Sequence, residues 1–258
     1  MKQAVTIVLV AFFVALSGCS ATVQSTSGKS YLEKYSEVPA AETDVTDGVK
    51  GIDQLVREAA SVEPVLRFPA RIGLARIGEY GRLSAIPEAE AEHWMDLKAR
   101  LGGGYGDFVP INPLVAALTN SVMTREQRAA MDTVDEIRLA AARQHLDAVL
   151  IYEVSTSRQV RQNALAATDF TLITAFVLPA RKVKGVAVGN ALLIDVIQGY
   201  PYGTAQADIE ERKMATLWSV ESKTSAMNER MRAAVTQALT DEAEIMFREL
   251  RLQIAELD

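Results

Sequence analysis

One cysteine, two histidines and a scatter of carboxylates are the residues of this 258-residue chain whose types lend themselves to chemistry. Cys19 is the only thiol, so the chain can close no internal disulfide and build no thiolate metal cluster. His93 and His145 each fall in a segment of helical periodicity; two histidines cannot make a three-His zinc site, and neither sits in an HExxH spacing. His145 with Asp147 would pair a base with its orienting acid, but no GxSxG elbow supplies a nucleophile. The GGGYG stretch, with Gly102 to Gly104 at its start, lacks the Lys-Ser/Thr of a phosphate loop and closes a helix instead of opening one. Glu79, Asp147, Glu153 and Asp195 are carboxylates of the kind a glycosidase uses in pairs, and the sequence leaves their separation open. These residue types in this order name no cofactor, no metal and no catalytic set. The expectation is a protein that is not an enzyme.

The surroundings of Cys19 are more specific. Met1 and Lys2 precede an apolar run from Ala4 to Leu16 broken only by Thr6. Such a run has the ~7–15 residues of a signal-peptide core and falls short of the ~20 that span a bilayer. Leu16-Ser17-Gly18-Cys19 closes it, and this tetrad resembles the lipobox of bacterial lipoproteins. The resemblance implies cleavage before Cys19, a diacylglycerol on its thiol and a palmitate-like chain on the new amino terminus. Three chains hold far more firmly than one, which binds only reversibly. Ser20 follows where an aspartate would resemble an inner-membrane retention signal. The expected location is therefore the outer membrane, facing the periplasm, with the inner membrane as the alternative.

That reading divides the chain into a signal peptide (1–18), a lipidated cysteine with a flexible tether (19–48) and a single periplasmic α/β domain (49–258). Cleavage removes Lys2 and leaves 26 basic against 33 acidic side chains, a formal charge of −7. An acidic domain argues against nucleic acid and against a lipid surface held by polybasic attraction. At 49% hydrophobic residues the chain can bury a core without crosslinks.

The elements follow from periodicity. Residues 50–60 show a short helical pattern through Ile52, Leu55 and Val56. Arg71 to Ile77 reads as a strand with Ile72, Leu74 and Arg76 on one face. Pro87 opens a helix whose first turns carry Glu88, Glu90 and Glu92, suited to the helix dipole, and whose apolar face holds Ala91, Trp94, Leu97 and Leu101. DFVPI is a second strand. Thr124 with Gln127 forms a capping box for a helix to about His145, buried through Met131, Val134, Ile137 and Ala141. DAVLIYEVS is a compact strand. The apolar region after it breaks at Pro179, Arg181, Lys182 and Lys184, so it reads as two strands, 169–178 and 186–197, joined by a basic loop. A further strand spans 203–209. Residues 225–257 give a long helix with Met227, Met231, Ala234, Ala238, Ile245, Phe247, Leu250 and Ile254 as its stripe. A mixed α/β (α+β) fold, a sheet packed by helices, follows from this order.

The succession of ARIGLARI, helix, DFVPI, a helix ending in AARQHLDAVLIYEVS, and ALLIDVIQG resembles CsgG-like lipoproteins and their relatives. These share an α/β domain like the amino-terminal domain of TolB. Asp147 to Leu150 and Leu192 to Gly199 carry the resemblance. It implies fold and envelope location; the run 155–178 does not match the membrane hairpins of the curli secretion channel. The functional expectation is a membrane-anchored module that binds an envelope protein, through Arg181, Lys182 and Lys184 and through the Met227–Met231 end of the last helix. The alternatives are a homo-oligomeric secretion-channel component and an envelope hydrolase.

Overall fold

The computed structural model describes residues 20–35, 51–120, 124, 131–162, 181–215 and 220–256. Cys19, the residues of the expected tether from 36 to 48, Gln127 and the expected strand 169–178 lie outside them.

Seven strands make one mixed sheet: β1 (Ser20–Val23), β2 (Ala70–Ile77), β3 (Leu83–Ser84), β4 (Gly106–Pro110), β5 (Ala148–Gln162), β6 (Arg181–Asp195) and β7 (Pro201–Ala215). Their order is β1-β7-β6-β5-β2-β3, with β4 also pairing β2. The pairings β2–β4 and β2–β5 are parallel; β5, β6, β7 and β1 run antiparallel to their neighbours. The helices are α1 (Gly28–Glu33), α2 (Ile52–Ala60), α3 (Glu88–Leu101), α4 (Pro113–Asn120), α5 (Thr133–Arg143) and α6 (Val220–Ala255). This is the expected mixed α/β architecture. Among the described residues no helix is long and apolar enough to cross a membrane.

Period-2 alternation sorts the strand residues onto two faces. Ile72 and Leu74 of β2, Leu150, Tyr152 and Val154 of β5, and Ala187, Ala191 and Leu193 of β6 join α3 and α6 in the larger core. Ala75, Val149, Ile151 and Ile194 point the other way, onto Ile137, Ala140 and Ala141 of α5 and Ala116 of α4. The second layer is narrower, and among the described residues no helix covers the β6–β7–β1 side of that face.

Several expectations shift. Residues 20–35 belong to the body of the fold. Ser20 to Val23 pair β7 from Gln206 to Gly203, Gln24 N–H donates to the Tyr202 carbonyl at 2.8 Å, and the Ser25 hydroxyl donates to Gln253 at 3.1 Å. Polar Ser and Thr at 20 and 22 alternate with Ala21 and Val23, which pack on the larger core, and so edge-strand periodicity hides in a short polar-looking run. The basic loop is not a loop: Arg181, Lys182 and Lys184 open β6, whose ladder with β5 runs to Gln162↔Arg181. Strand β6 therefore pairs β5 across the intervening residues. The second helix of the chain forms where expected, but Ile52, Leu55 and Val56 are all exposed. Helix α5 starts later than expected, with Asp132 as its cap accepting from Asp135 N–H at 2.9 Å.

The last helix buries Met227, Met231, Phe247, Leu250 and Ile254 of the expected stripe, but its middle is rotated. Val235, Leu239 and Ala243 are fully buried, whereas Ile245 is 45% exposed and Ala234 is exposed. From Met227 the buried ridge climbs in steps of four to Ala243, then through Met246 and Leu250 to Ile254. Glycines on the sheet let it come close: Gly185 lies under Met231 and Met227, Gly189 under Leu239, Gly203 under Met246.

Candidate functional site

The carboxylates divide. Asp147 and Asp195 line one cleft of about 520 Å3 with His145, Arg67 and Ile197, where β2, β4 and β5 begin. Both carboxylates are engaged by backbone. Asp195, 2% exposed, accepts from Ile197 N–H at 2.7 Å and Gln198 N–H at 2.6 Å, and its other oxygen takes the Tyr202 hydroxyl at 3.3 Å. That hydroxyl also accepts from Val65 and Leu66 N–H at 3.0 and 2.8 Å. Burial, followed by the nearby Asp195 charge among the opposing contacts, leaves the Tyr202 phenol pushed up to about 12. Asp147 accepts from Arg71 N–H at 2.7 Å, while the Arg71 guanidinium donates to the Gln144 and His145 carbonyls. His145 takes φ +53 just past α5 and closes the helix. The cleft is thus a clasp that ties four chain segments together. Glu153 stands apart on β5, accepting from Asn190 at 3.1 Å, and Glu79 lies in the turn after β2. Among the described residues no group of three or more His, Cys, Asp or Glu is placed to hold a metal ion.

A second polar cluster escaped the sequence. Glu90 is 2% exposed inside the larger core. It receives Arg76 Nε at 2.7 Å, Arg76 Nη2 at 3.2 Å and the Tyr152 hydroxyl at 3.0 Å. Burial and then the Glu90 charge raise the Tyr152 phenol far above its ordinary value. Trp94 packs against Tyr152 with ring centroids 4.8 Å apart and planes tilted by 52°, its indole nitrogen without a hydrogen-bond partner in the structure. Glu90 lies one turn before Trp94 on the same face and two turns before Leu97, and Arg76 continues the Ile72–Leu74 face. Those two spacings were the available signal. The Arg76–Glu90 pair and the Tyr152 hydroxyl tie α3 to the sheet.

Among the described residues, the β6–β7–β1 side of the second face carries no helix. A groove of about 510 Å3 crosses it, from Ser20 on β1 past Thr204 and Gln206, Asn190 and Leu192, and Ile151, to Ile77 and Val134 of α5. Its size is that of small-molecule pockets, ~300–1,000 Å3. Its floor is apolar toward α5 and polar toward β1, where the Thr22 and Thr204 hydroxyls bond at 2.7 Å.

Of the expected contact residues, Met227 and Met231 are 0% and 2% exposed and packed over Gly185, so they form core and offer no free surface. Arg181, Lys182 and Lys184 sit at register positions opposite Gln162, Arg161 and Gln159 on one side and Ala215, Met214 and Arg212 on the other.

No family model and no curated protein matches this sequence. Solved structures share partial likeness. The PelC dodecamer from Paraburkholderia phytofirmans is 15% identical, with 67% of this chain and 87% of that chain covered at a TM-score of 0.27. A minor lipoprotein from Acinetobacter baumannii is 6% identical over 71% and 92%, at 0.33. The lipoprotein GNA1162 from Neisseria meningitidis is 15% identical over 63% and 96%, at 0.29. Two of these three are lipoproteins. At such TM-scores the likeness assigns this chain neither a ligand nor an assembly.

Proposed function

We propose that this chain is a bacterial envelope lipoprotein, attached through Cys19, whose α/β domain binds another protein in envelope assembly, secretion or wall synthesis and catalyses no reaction. The observation that carries it is the Leu16-Ser17-Gly18-Cys19 tetrad closing an apolar run, one residue before the edge strand β1. Support comes from the Asp147–Asp195 cleft, where Asp147 accepts from one backbone amide and Asp195 from two backbone amides and the Tyr202 hydroxyl. Ser20 favours the outer membrane. Arg181, Lys182 and Lys184 remain the proposed partner contact.

The test is growth on labelled palmitate with membrane fractionation. The expected result is label on the wild-type chain and a membrane-bound protein, with Cys19→Ser unlabelled and released. An unlabelled wild-type chain would end this reading. Crosslinking in cells then identifies the partner.

A homo-oligomeric channel component is the second reading. It is favoured by Leu114 and Leu118, one turn apart on α4 and 73% and 64% exposed. Detergent-extracted protein running as a discrete large ring would put it first.

A further inference from the structure

The turn after β2 holds an aromatic side chain in a strained and open position. Tyr80 is 94% exposed and has φ +65, a left-handed conformation that costs a tyrosine and that glycine takes freely. The turn is nonetheless fixed. Gly78 N–H donates to the Arg82 carbonyl at 2.8 Å, and the Thr133 hydroxyl at the start of α5 donates to the Gly81 carbonyl at 2.7 Å. A Cβ on Gly81 would meet nothing within 4 Å, so the tip stands clear of its surroundings. Strained backbone and an apolar ring in water are both costs to the free chain, and together they point to a use outside it.

The other end of the same layer offers the complement. Strand β2 runs for eight residues, about 26 Å, from Ala70 to that turn. Helix α5 packs on it and returns from Thr133, bonded to Gly81, to Arg143, beyond which His145 lines the cleft of about 520 Å3. Leu66 and Leu146 are buried in the lining of that cleft, and Val65 and Ile197 are exposed there. Turn and cleft are too far apart to meet within one chain. Charge follows the same axis. Asp132, Asp135 and Glu136 open α5 beside the turn, with Arg82 opposed to them and Asp135 shared with Arg138 at 3.4 Å. Arg143 and His145 close it, and Arg67 and Arg71 join them against the exposed Asp147. Glu63, two residues ahead of Val65, is turned to the Ser27 hydroxyl and the Lys29 amide. The basic rungs of the ribbon begin at Arg158, five residues or about 17 Å farther along β5 than Glu153, the rung partner of Ile77. That exceeds the ~8 Å screening length at physiological salt.

We infer that copies of this chain associate head to tail, with Tyr80 of one copy seated in the Val65–Ile197 cleft of the next. The acidic end of α5 then faces the basic end of the neighbouring α5, and the two helix dipoles point the same way. Tyrosine and arginine are among the side chains that dominate interface energetics, and the turn presents Tyr80 and Arg82 together. A phenol ring fits the cleft, whose volume lies within the ~300–1,000 Å3 of small-molecule pockets. A contact between two different surfaces leaves one of each unused at the ends, so it propagates into a ring or a filament and does not stop at a dimer. The proposal rests on the second reading, self-assembly, and names its interface; the lipid on Cys19 is not needed for it.

The full chain is extracted in detergent and its mass measured by sedimentation over a range of concentrations. The expected wild-type result is an assembly larger than a dimer that loosens in high salt. Tyr80→Asn keeps a residue that tolerates the left-handed turn, and Ile197→Asp changes an exposed side chain. Each should weaken association roughly tenfold or more. Mixed in equal amounts, the two variants should give a dimer and nothing larger, because each retains the surface that the other has lost. Leu252→Asp, also exposed but on α6, is the control and should assemble as the wild type does. Circular dichroism checks the fold of all three. A monomeric wild type, a wild type that stops at a dimer, or a mixture of variants that stays monomeric would overturn the proposal. So would a loss as large in Leu252→Asp as in the other two. An assembly that persists unchanged in both variants would overturn this interface and leave self-assembly standing through another. Palmitate labelling, read on the same preparations, decides the anchor separately.

Discussion

Arg76 and Glu90 meet at 2.7 Å, Nε to Oε2, with side chains 11% and 3% exposed in a core made otherwise of apolar groups. A second contact, Nη2 to Oε1 at 3.2 Å, makes the pair two-pronged, and the Tyr152 hydroxyl completes it. The strand supplies one charge and the helix the other, so the pair specifies how α3 lies on the sheet.

Glu90→Ala strands a buried guanidinium, and the expected loss is about 3–5 kcal/mol of stability. Replacing both residues with Met should cost much less, because no orphan charge is left. Urea unfolding of the two variants measures the difference. Equal losses would mean that packing, and not the pair, is what Glu90 contributes.

Tyr202 makes stability depend on alkaline pH. Its phenol keeps the proton to about pH 12 in the fold, whereas an unfolded tyrosine loses it near 10. Between those values the folded chain holds more protons than the unfolded one. Stability is therefore complete below pH 10 and falls as pH rises toward 12, by about 2–3 kcal/mol for this residue. Tyr200 and Tyr152, also raised, act in the same direction. Tyr202→Phe should cost about 1–3 kcal/mol at neutral pH, through the unsatisfied Val65 and Leu66 amides, and should flatten the alkaline slope. Thermal melts across pH 8 to 12, a range of about four units around the unfolded tyrosine value, supply both readings.

Met227→Ala and Met231→Ala should each lower stability by about 2–5 kcal/mol, as buried methionines do. A surface role would leave stability unchanged, so denaturant midpoints discriminate between core and contact.

Gly106 has φ +97, and a Cβ on it would overlap the Ala70 backbone, its partner in the first rung of β2–β4. Gly106→Ala is expected to cost about 2–4 kcal/mol. Hydrogen exchange should show the loss concentrated in the amides of residues 106–110, with β6 and β7 protected as before.

Local signals in the sequence carried most of the elements. Trp94, Leu97 and Leu101 lie at helical spacing and are buried together, and the Ile72–Leu74–Arg76 face is the face that packs on α3. What stayed hidden depends on pairing between distant segments. Nothing near Arg181 reveals that its neighbours are Gln162 and Ala215, so three basic residues that open a strand read as a loop. The polar run at 20–23 has only four residues in which to show alternation, and its partner strand begins at residue 201. The Asp147–Asp195 cleft was half legible: the residues were named, but their use as backbone acceptors needs three-dimensional neighbours.

The pairing of Ser20 with Gln206 also sets a distance of action. A free tether of some thirty residues would let the domain wander about 30 Å from its attachment point and meet targets deep in the surrounding compartment. With the proposed lipid on Cys19, the sheet would have a single peptide link of about 3.8 Å as slack. A protein held in the proposed way would survey an area and not a volume: whatever it engages would have to come to the membrane surface.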